Sequence, residues 1–382
     1  MEEKEMHWFA MAIPVAAAAV LYFKYHKRAV WWEFLILFAI TTVLILIFKF
    51  TAETMQTMDT EYWGGWITRA EYYEEWNEKV ACTHAKYETY TDSDGNIQSR
   101  FVGYEHLYDV DYHGPYWQAF ESNGFAISIN RMKFEELAGK FGNRNFVDLH
   151  RDYHTIDGDK YVAAWAGSEE NIEPAVTVHS YENRIQASNS VFNFPELSKT
   201  EVKENSLFNY PKVTGFYYCP SIIGNGGQTY IEALKKLDIW NAKLGAKKQA
   251  RMWVLIFVDK PMQAGFLQEQ YWKGGNKNEF VMTIGVDNAF NVQWSHVFSW
   301  TEAEELKVEA RNFAISLEKL DLVKIVDWLA PQIDKKFVRK PFAEFSYLTV
   351  DPPMWSIAVI YLITIALNSG LAIWIVMNQY SE

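Results

Sequence analysis

A short segment rich in histidine and aspartate is the first candidate for metal chemistry in this sequence. His150, Asp152 and His154 are separated by one residue each. Because side chains alternate along an extended strand, all three would lie on one face, where zinc or a similar divalent ion could bind. The spacing supplies no fourth ligand, and the residues that follow are typical of a turn. We therefore favour a strand and turn, with a divalent metal as the alternative.

Two polar loops offer weaker candidates. Gly224–Gly227 is rich in glycine and precedes a predicted helix near Thr229, so its amide groups could face an anion. It lacks the lysine and the following serine or threonine of a phosphate-binding loop, which favours a flexible turn. Asp92–Asn96 alternates oxygen ligands as a calcium loop does, but no glutamate closes the loop at the twelfth position. A hairpin turn is the favoured interpretation there.

The sequence gives little support for nucleophilic or redox catalysis. Cys82 and Cys219 lack metal-ligand spacing, so a zinc site built on them is not expected, although they permit one disulfide. Neither cysteine has a local arrangement of histidine and acid beside it in the sequence, although partners could come from elsewhere in the fold. The sequence contains no G-x-S-x-G elbow, Walker loop or dinucleotide-binding fingerprint. These features favour a protein that is not an enzyme.

Three apolar segments predict membrane-spanning helices. The first two, residues 8–23 and 30–49, form a helical hairpin about long enough to cross roughly 30 Å of hydrocarbon. The third, residues 354–378, contains Trp355–Met377, which carries no charged residue. Polar residues are scarce in these segments, so we interpret them as anchors rather than as a conduit. Buried core helices are the alternative interpretation.

The charges beside these segments predict how the protein faces the membrane. Lys24–Arg28, between the first two spans, carries three formal positive charges, while the N-terminal tail is net acidic. The positive-inside rule therefore places this turn in the cytoplasm and the large domain outside. A counter-signal comes from the basic residues Lys335, Lys336, Arg339 and Lys340. We predict an integral membrane protein of the bacterial inner-membrane type with an extracytoplasmic soluble domain.

The soluble domain is predicted to have an α+β fold with two modules. In chain order, the segments are a helical stalk (51–60), a β-rich module (61–195), a connection (196–221) and an α/β module (222–345). In the β-rich module, alternating strands at Lys86–Thr91 and Arg100–Tyr104 lie on either side of the Asp92–Asn96 turn, which predicts a β-hairpin.

The second module shows the clearest order of elements. Strands are predicted at Arg251–Val258, Glu279–Gly285 and Asn291–Phe298, and helices at 263–271, 301–317 and 321–337. The first two strands are continuous apolar runs typical of buried strands. Thr301 and Glu304 predict a capping box at the start of the second helix. This order is typical of an α/β sandwich.

The same order resembles the TPM domain, the fold of membrane-anchored proteins that include photosystem II repair factors. The resemblance rests on Leu244–Gln249 before the first strand, Tyr271-Trp272 at the end of the helix, and Gly274–Asn278 before the next strand. It covers about residues 222–345 and implies that the Gly274 loop lies at the rim of a cleft. The predicted binding residues are therefore Trp272, Gly274, Gly275, Asn276, Lys277 and Asn278. No acidic cluster matches the metal positions of some family members, so metal binding and phosphatase activity are not carried over.

Charge and composition narrow the function further. A formal net charge of −12 argues against nucleic-acid binding, because phosphate recognition needs clustered lysine and arginine. Aromatic residues make up 16% of the chain and can supply contact surfaces.

From these features we predict a membrane-anchored scaffold or assembly factor in the lipid bilayer that binds a membrane protein partner or its own copies as a homo-oligomer. One alternative is a metal-dependent hydrolase of phosphate or peptide substrates at the membrane surface. Another is a phage-encoded envelope or pore-forming membrane protein.

Overall fold

The chain has a mixed α+β architecture, which confirms the predicted fold class at that level. The computed structural model describes residues 3–25, 31–149, 158–188, 190–191, 194–215 and 217–380. Apolar helices from both ends of the chain pack together, and the residues between them build a domain of strands and helices.

The apolar helices form a bundle. They are α1 (Ala12–Tyr25), preceded by a 3-10 helix at Glu3–Met11, with α2 (Trp31–Thr57) and α10 (Met354–Tyr380). Within the described ranges, three segments are long and apolar enough to cross a membrane: Met6–Lys24, Trp31–Thr57 and Met354–Met377. The predicted apolar spans are therefore confirmed as helices of membrane length, which supports association with a membrane.

Buried side chains hold this bundle together. Leu21, Leu37 and Ile375 come from the three different helices and form one apolar cluster. The amide nitrogen of Asn368 on α10 donates to the hydroxyl of Thr41 on α2 at 2.9 Å. Asn368 thus packs against a neighbouring helix of the same chain, whereas Ser369 is exposed.

Helix α2 runs directly into the β-rich module. It continues as the predicted stalk to Thr57, and β1 (Met58–Tyr73) follows without a break, three residues earlier than the predicted start at Glu61. The first half of β1 pairs with β10 (Pro174–Glu182), and its second half pairs with β6 (Tyr116–Glu121) and β9 (Lys160–Ala164). All of these pairings are antiparallel. Because β1 directly follows α2, it connects the sheet of this module to the apolar helix.

The remaining elements of this sheet complete a small core. β7 (Ala126–Ile129) pairs with β6, and β8 (Asn145–Val147) pairs with β9. Helix α3 (Arg131–Phe141) covers the sheet with buried Phe134 and Leu137. Asn130 begins this helix, because its side chain accepts a hydrogen bond from the backbone N–H of Lys133.

Residues 76–113 leave this sheet as a two-stranded projection, which we call the arm. β2 (Trp76–Ala81) pairs with β5 (Tyr108–His113), and β3 (Ala85–Thr91) pairs with β4 (Ile97–Tyr104). The predicted hairpin is confirmed. Its turn closes because Oδ1 of Asp92 accepts the backbone N–H groups of Asp94 and Asn96 at 3.0 and 2.8 Å.

Two short helices precede β11 (Ile222–Gly224). α4 (Arg184–Ala187) lies at the end of the predicted β-rich module, and α5 (Lys199–Glu204) lies in the predicted connection. Ser198 and Glu201 form a capping box that begins α5.

The second module is built on a sheet with the order β11-β12-β13-β14. β12 (Arg251–Val258) pairs in parallel with β11 and β13 (Glu279–Val286), and β14 (Val292–Ser299) closes the sheet antiparallel to β13. Side chains alternate along β12, so Met252, Val254 and Ile256 face one core and Trp253, Leu255 and Phe257 face another. Burial on both faces explains why β12 and β13 are continuous apolar runs.

Helices cover the two faces of this sheet. α6 (Tyr230–Lys248), α8 (Glu304–Ser316) and α9 (Leu322–Lys336) pack on the first face, and α7 (Gln263–Tyr271) packs on the second. The predicted capping box of Thr301 and Glu304 is wrong. The hydroxyl of Thr301 instead donates to the carbonyl of Val338 at 2.9 Å, and α8 begins at Glu304 without a side-chain cap.

The two modules meet where β1 crosses α6. A Cβ atom added to Gly245 would lie 2.2 Å from the carbonyl oxygen of Gly64, so glycine is needed for this close approach of backbones. Nearby, the side chain of Asn278 donates to the carbonyl of Tyr62 at 2.8 Å. The junction is therefore tightly packed.

Candidate functional site

The predicted metal site at His150, Asp152 and His154 lies outside the described residues. A divalent metal at that segment, and the hydrolase alternative that rests on it, stay predictions.

The glycine-rich segment Gly224–Gly227 forms a turn, as favoured by the sequence. Asn225 accepts the backbone N–H of Gly227 at 3.2 Å, and the turn leads into α6. It lies along a cleft of about 580 Å³ whose other residues include Phe290 and Lys319. An anion here stays a prediction, since a helix N-terminus alone does not define a ligand.

The predicted binding loop is largely internal. Gly274, Gly275, Asn276 and Asn278 are buried, and Asn278 has no exposed surface. Trp272 is also buried, and its ring N–H donates to the carbonyl of Phe208 at 2.8 Å. These contacts give the loop a structural role, because its amide groups hold neighbouring segments together.

Part of this loop does reach a cleft. Trp272 and Asn276 line a depression of about 340 Å³ together with Asp59, Tyr210 and Tyr271. Lys277 instead lies 4.0 Å over the ring of Tyr181, and burial lowers the pKa of its ammonium group. Binding at this rim stays a prediction.

Beneath the loop lies a buried carboxylate. Glu279 is fully buried and accepts hydrogen bonds from the Tyr210 hydroxyl, the Trp253 indole N–H at 2.9 Å and the Asn276 backbone N–H at 2.9 Å. Burial raises the pKa of its carboxyl group. Each described partner donates into the carboxylate, so the arrangement is that of a satisfied core acid.

A second buried acid lies at the junction of the modules. Asp238 accepts hydrogen bonds from the hydroxyls of Ser221 at 2.8 Å and Tyr218 at 3.2 Å. Burial raises the pKa of Asp238 to about 6. The adjoining cavity measures about 10 Å³, which is too small for a substrate, so this acid also belongs to the packing of the junction.

The arm presents an exposed apolar surface. The β3–β4 register sets Tyr87 opposite Phe101 and Thr91 opposite Ile97, which puts these side chains on one face. The rings of Phe101 and Tyr104 contact each other at 5.4 Å between centroids. We call Tyr87, Ile97, Phe101 and Tyr104 the aromatic face.

The other face of the ribbon is more polar, although it also carries the exposed Tyr90. Glu88 lies opposite Arg100, with 3.6 Å between their charged atoms, and Tyr90 lies opposite Gln98. Among the described residues, none of the buried hydrophobic clusters includes a residue of the arm. The aromatic face therefore covers no core, and Ile97 is 79% exposed.

A cluster of metal-ligating side chains lies at the middle of the arm. Cys82 and His84 come from the strand that ascends from the sheet, and His106 and Asp109 from the one that returns. Their ligating atoms all lie within 4.8 Å of one another. Cys82 therefore has a local histidine, His84, while the acid, Asp109, comes from elsewhere in the fold, which the sequence left open.

Individual distances define this cluster. Sγ of Cys82 lies 3.8 Å from Nδ1 of His84, which lies 3.3 Å from Oδ2 of Asp109. Nε2 of His106 contacts the other oxygen of Asp109, and this hydrogen bond lowers the pKa of the carboxyl group. Cys82 is buried although the arm around it is exposed. Both it and Cys219 are free thiols, so the permitted disulfide is not formed.

A signal for this cluster was present in the sequence. The predicted hairpin at Lys86–Thr91 and Arg100–Tyr104 brings the residues just outside it together, and those residues include Cys82, His84 and His106. Spacing along the chain alone concealed the set, because the two pairs of ligands are more than twenty residues apart.

No protein-family model, curated protein or solved structure matches this chain.

Proposed function

We propose that this chain is a membrane-anchored scaffold whose arm binds a protein partner. The observation that carries the proposal is the exposed aromatic face of β3–β4 on a ribbon without a core of its own. Two-stranded ribbons are marginally stable alone in water, and their unpaired edges can accept a strand from another chain. A partner that covers this face would add apolar contacts and strand pairing together.

The charge of the arm favours a protein over a lipid surface. Residues 76–113 contain seven acidic and three basic side chains, a net charge of −4 with histidines neutral. Anionic membrane surfaces attract lysine and arginine and repel such a segment. The membrane contact of the protein is supplied instead by its apolar helices.

The experiment is photocrosslinking in membranes that contain the full-length protein. A photoreactive residue at Ile97, on the aromatic face, should give discrete protein adducts, and the same residue at Gln98, on the opposite face, should give few. Replacing Tyr87, Phe101 and Tyr104 with serine should remove the adducts from position 97. An adduct of twice the chain mass would identify a second copy as the partner, which includes the homo-oligomer we predict.

Two results would contradict this proposal. Equal crosslinking from positions 97 and 98 would show that no partner binds one face of the arm in preference to the other. Adducts to lipid alone would show that the aromatic face contacts the bilayer.

We also propose that the soluble domain is extracytoplasmic in a membrane of the bacterial inner-membrane type. Support comes from the charges of Lys24–Arg28 and from the apolar helices. A cysteine introduced at Gln98 should react with a membrane-impermeant maleimide in intact spheroplasts, and protection of that cysteine would place the domain in the cytoplasm.

The likeness of the second module to a TPM domain is likewise a proposal. It is supported by the order of strand, helix, strand, strand and two helices from β12 to α9. Superposition of an experimental structure on a TPM domain tests it, and a different strand order would contradict it.

A further inference from the structure

The arm is interrupted at the level of the cysteine–histidine cluster. The β2–β5 ladder ends at Ala81 and Tyr108, and the β3–β4 ladder begins at Ala85 and Tyr104. One backbone hydrogen bond, from Glu105 to His84 at 2.9 Å, joins the strands between the two ladders. The outer ladder is therefore attached to the inner one by few backbone hydrogen bonds. Among the described residues, no apolar cluster supports that attachment.

The cluster has the dimensions of a tetrahedral metal site. With zinc bonds of about 2.0–2.3 Å, neighbouring ligand atoms lie roughly 3.3–3.7 Å apart. The observed separations of 3.8 Å (Cys82 to His84) and 3.3 Å (His84 to Asp109) are close to these values. His106 contacts the same carboxylate from three residues earlier on the returning strand. All the ligand atoms lie within 4.8 Å of one another, which is close enough for the set to hold one ion.

The chemistry of the set selects among metals. One thiolate, two imidazoles and one carboxylate suit zinc better than calcium or magnesium, which prefer ligand sets made of oxygen. With four protein ligands, no open position remains for a substrate, which is the pattern of a structural site.

We propose that Cys82, His84, His106 and Asp109 bind one zinc ion, which fastens the outer half of the arm to its base. The ion links the two strands at the level where their ladders are interrupted. Metal binding then supplies the stability that a core supplies elsewhere, because the binding free energy is coupled to the order of the site. This inference goes beyond the proposed function and does not depend on the identity of a partner.

The test uses the full-length protein in detergent, stripped with a chelator and then titrated with zinc or cobalt. Elemental analysis should find about one zinc per chain after removal of excess metal. Cobalt(II) should give the visible absorption of a tetrahedral site together with a thiolate charge-transfer band in the near ultraviolet. Zinc should also slow proteolysis within residues 85–104 by about tenfold or more.

Matched variants locate the site. Cys82→Ser should abolish the thiolate band and weaken zinc binding by at least about 100-fold, more than the loss of an outer partner of a metal site. Cys219→Ser changes the other free cysteine, which lies outside the arm, and should leave the band and the stoichiometry unchanged. His113→Gln removes an arm histidine outside the cluster and should also bind normally.

The outcomes separate clearly. Absence of stoichiometric zinc from the unaltered protein, or a thiolate band that survives in Cys82→Ser, would overturn the inference. So would one zinc per chain that persists in Cys82→Ser and is lost in His154→Ala, which would place the metal at the other predicted segment. These measurements need no partner. Crosslinking from position 97 can therefore fail while zinc still binds, and zinc binding can fail while crosslinking succeeds.

Discussion

The arm and the central sheet of the second module place strands in opposite environments. Every residue of β13 is buried, whereas six of the seven residues of β3 are exposed. In the sheet, polar side chains such as Glu279 and Arg251 are enclosed by partners that the fold provides. In the arm, aromatic and metal-ligating side chains lie where solvent or another molecule can reach them.

This difference distinguishes polar side chains that stabilise the fold from polar side chains that remain available to bind a ligand. A buried acid with several donors stabilises one arrangement of the chain and leaves no bonding capacity for a ligand. The thiol, imidazole and carboxylate groups of the arm have that capacity, since the thiol is buried but both imidazoles are exposed and the carboxylate is half-buried. The arm is therefore where this chain offers chemistry to its surroundings.

The largest effect that tests this comparison should come from Glu279. Glu279→Ala leaves the donors of Tyr210, Trp253 and Asn276 buried without an acceptor, and it leaves the nearby Arg251 charge without its counterpart. We expect a loss of about 3–5 kcal/mol in the free energy of unfolding, measured by chemical denaturation with tryptophan fluorescence.

Glu88→Ala is the matched control, since Glu88 also lies on a strand and faces an arginine. Its ion pair with Arg100 is solvent-exposed, so we expect a change within about 0.5 kcal/mol. Equal losses in the two variants would show that the arm is as tightly integrated as the sheet, and the comparison would be wrong.

The parts of this fold that the sequence predicts well are those where local pattern and burial coincide. β12 and β13 are apolar at nearly every position because both of their faces are buried, so their burial was visible in the sequence. The hairpin of the arm was predictable for another reason, since Asp92–Asn96 carries the side chains that close a turn.

Long-range contacts explain what the sequence did not reveal. Asn278 follows a loop that looks exposed, but β1 passes over it and Tyr62 accepts its amide. Likewise, Thr301 had the spacing of a helix cap, but the chain near Val338 returns to its hydroxyl. The metal-ligating cluster needs strand pairing across the whole outer hairpin to exist. For Asn278 and Thr301 the partner is distant in sequence and no local pattern encodes it, whereas the cluster follows from extending the predicted hairpin by a few residues.

An intermediate, pH-dependent effect is expected from Asp238. Its folded pKa is raised to about 6 from 3.8, so the folded protein keeps this proton at pH values where the unfolded chain has lost it. The stabilisation is therefore complete below about pH 4 and is lost as the pH rises through about 6. Relative to Asp238→Asn, the unaltered protein should lose roughly 2–3 kcal/mol of unfolding free energy between pH 4 and pH 7.

Taking the difference between the two proteins at each pH removes the contribution of groups that both share. A difference that stays constant across this range would show that Asp238 titrates alike in the folded and unfolded chain. The junction around it would then be more accessible to water than its burial indicates.

The smallest predicted effect concerns the packing that connects the two modules. Gly245→Ala places a methyl group against the backbone of Gly64, and we expect it to cost about 1–3 kcal/mol although alanine favours a helix. Gly139→Ala in α3 is the control, because a Cβ there meets no atom within 4 Å, and it should instead stabilise by about 0.5–1 kcal/mol. Changes of opposite sign in the unfolding free energies of the two variants would show that the tightly packed region reaches β1, the strand from which the arm departs. A stabilising Gly245→Ala would mean that the modules separate there, and the flexible region would then begin at the junction instead of at the arm.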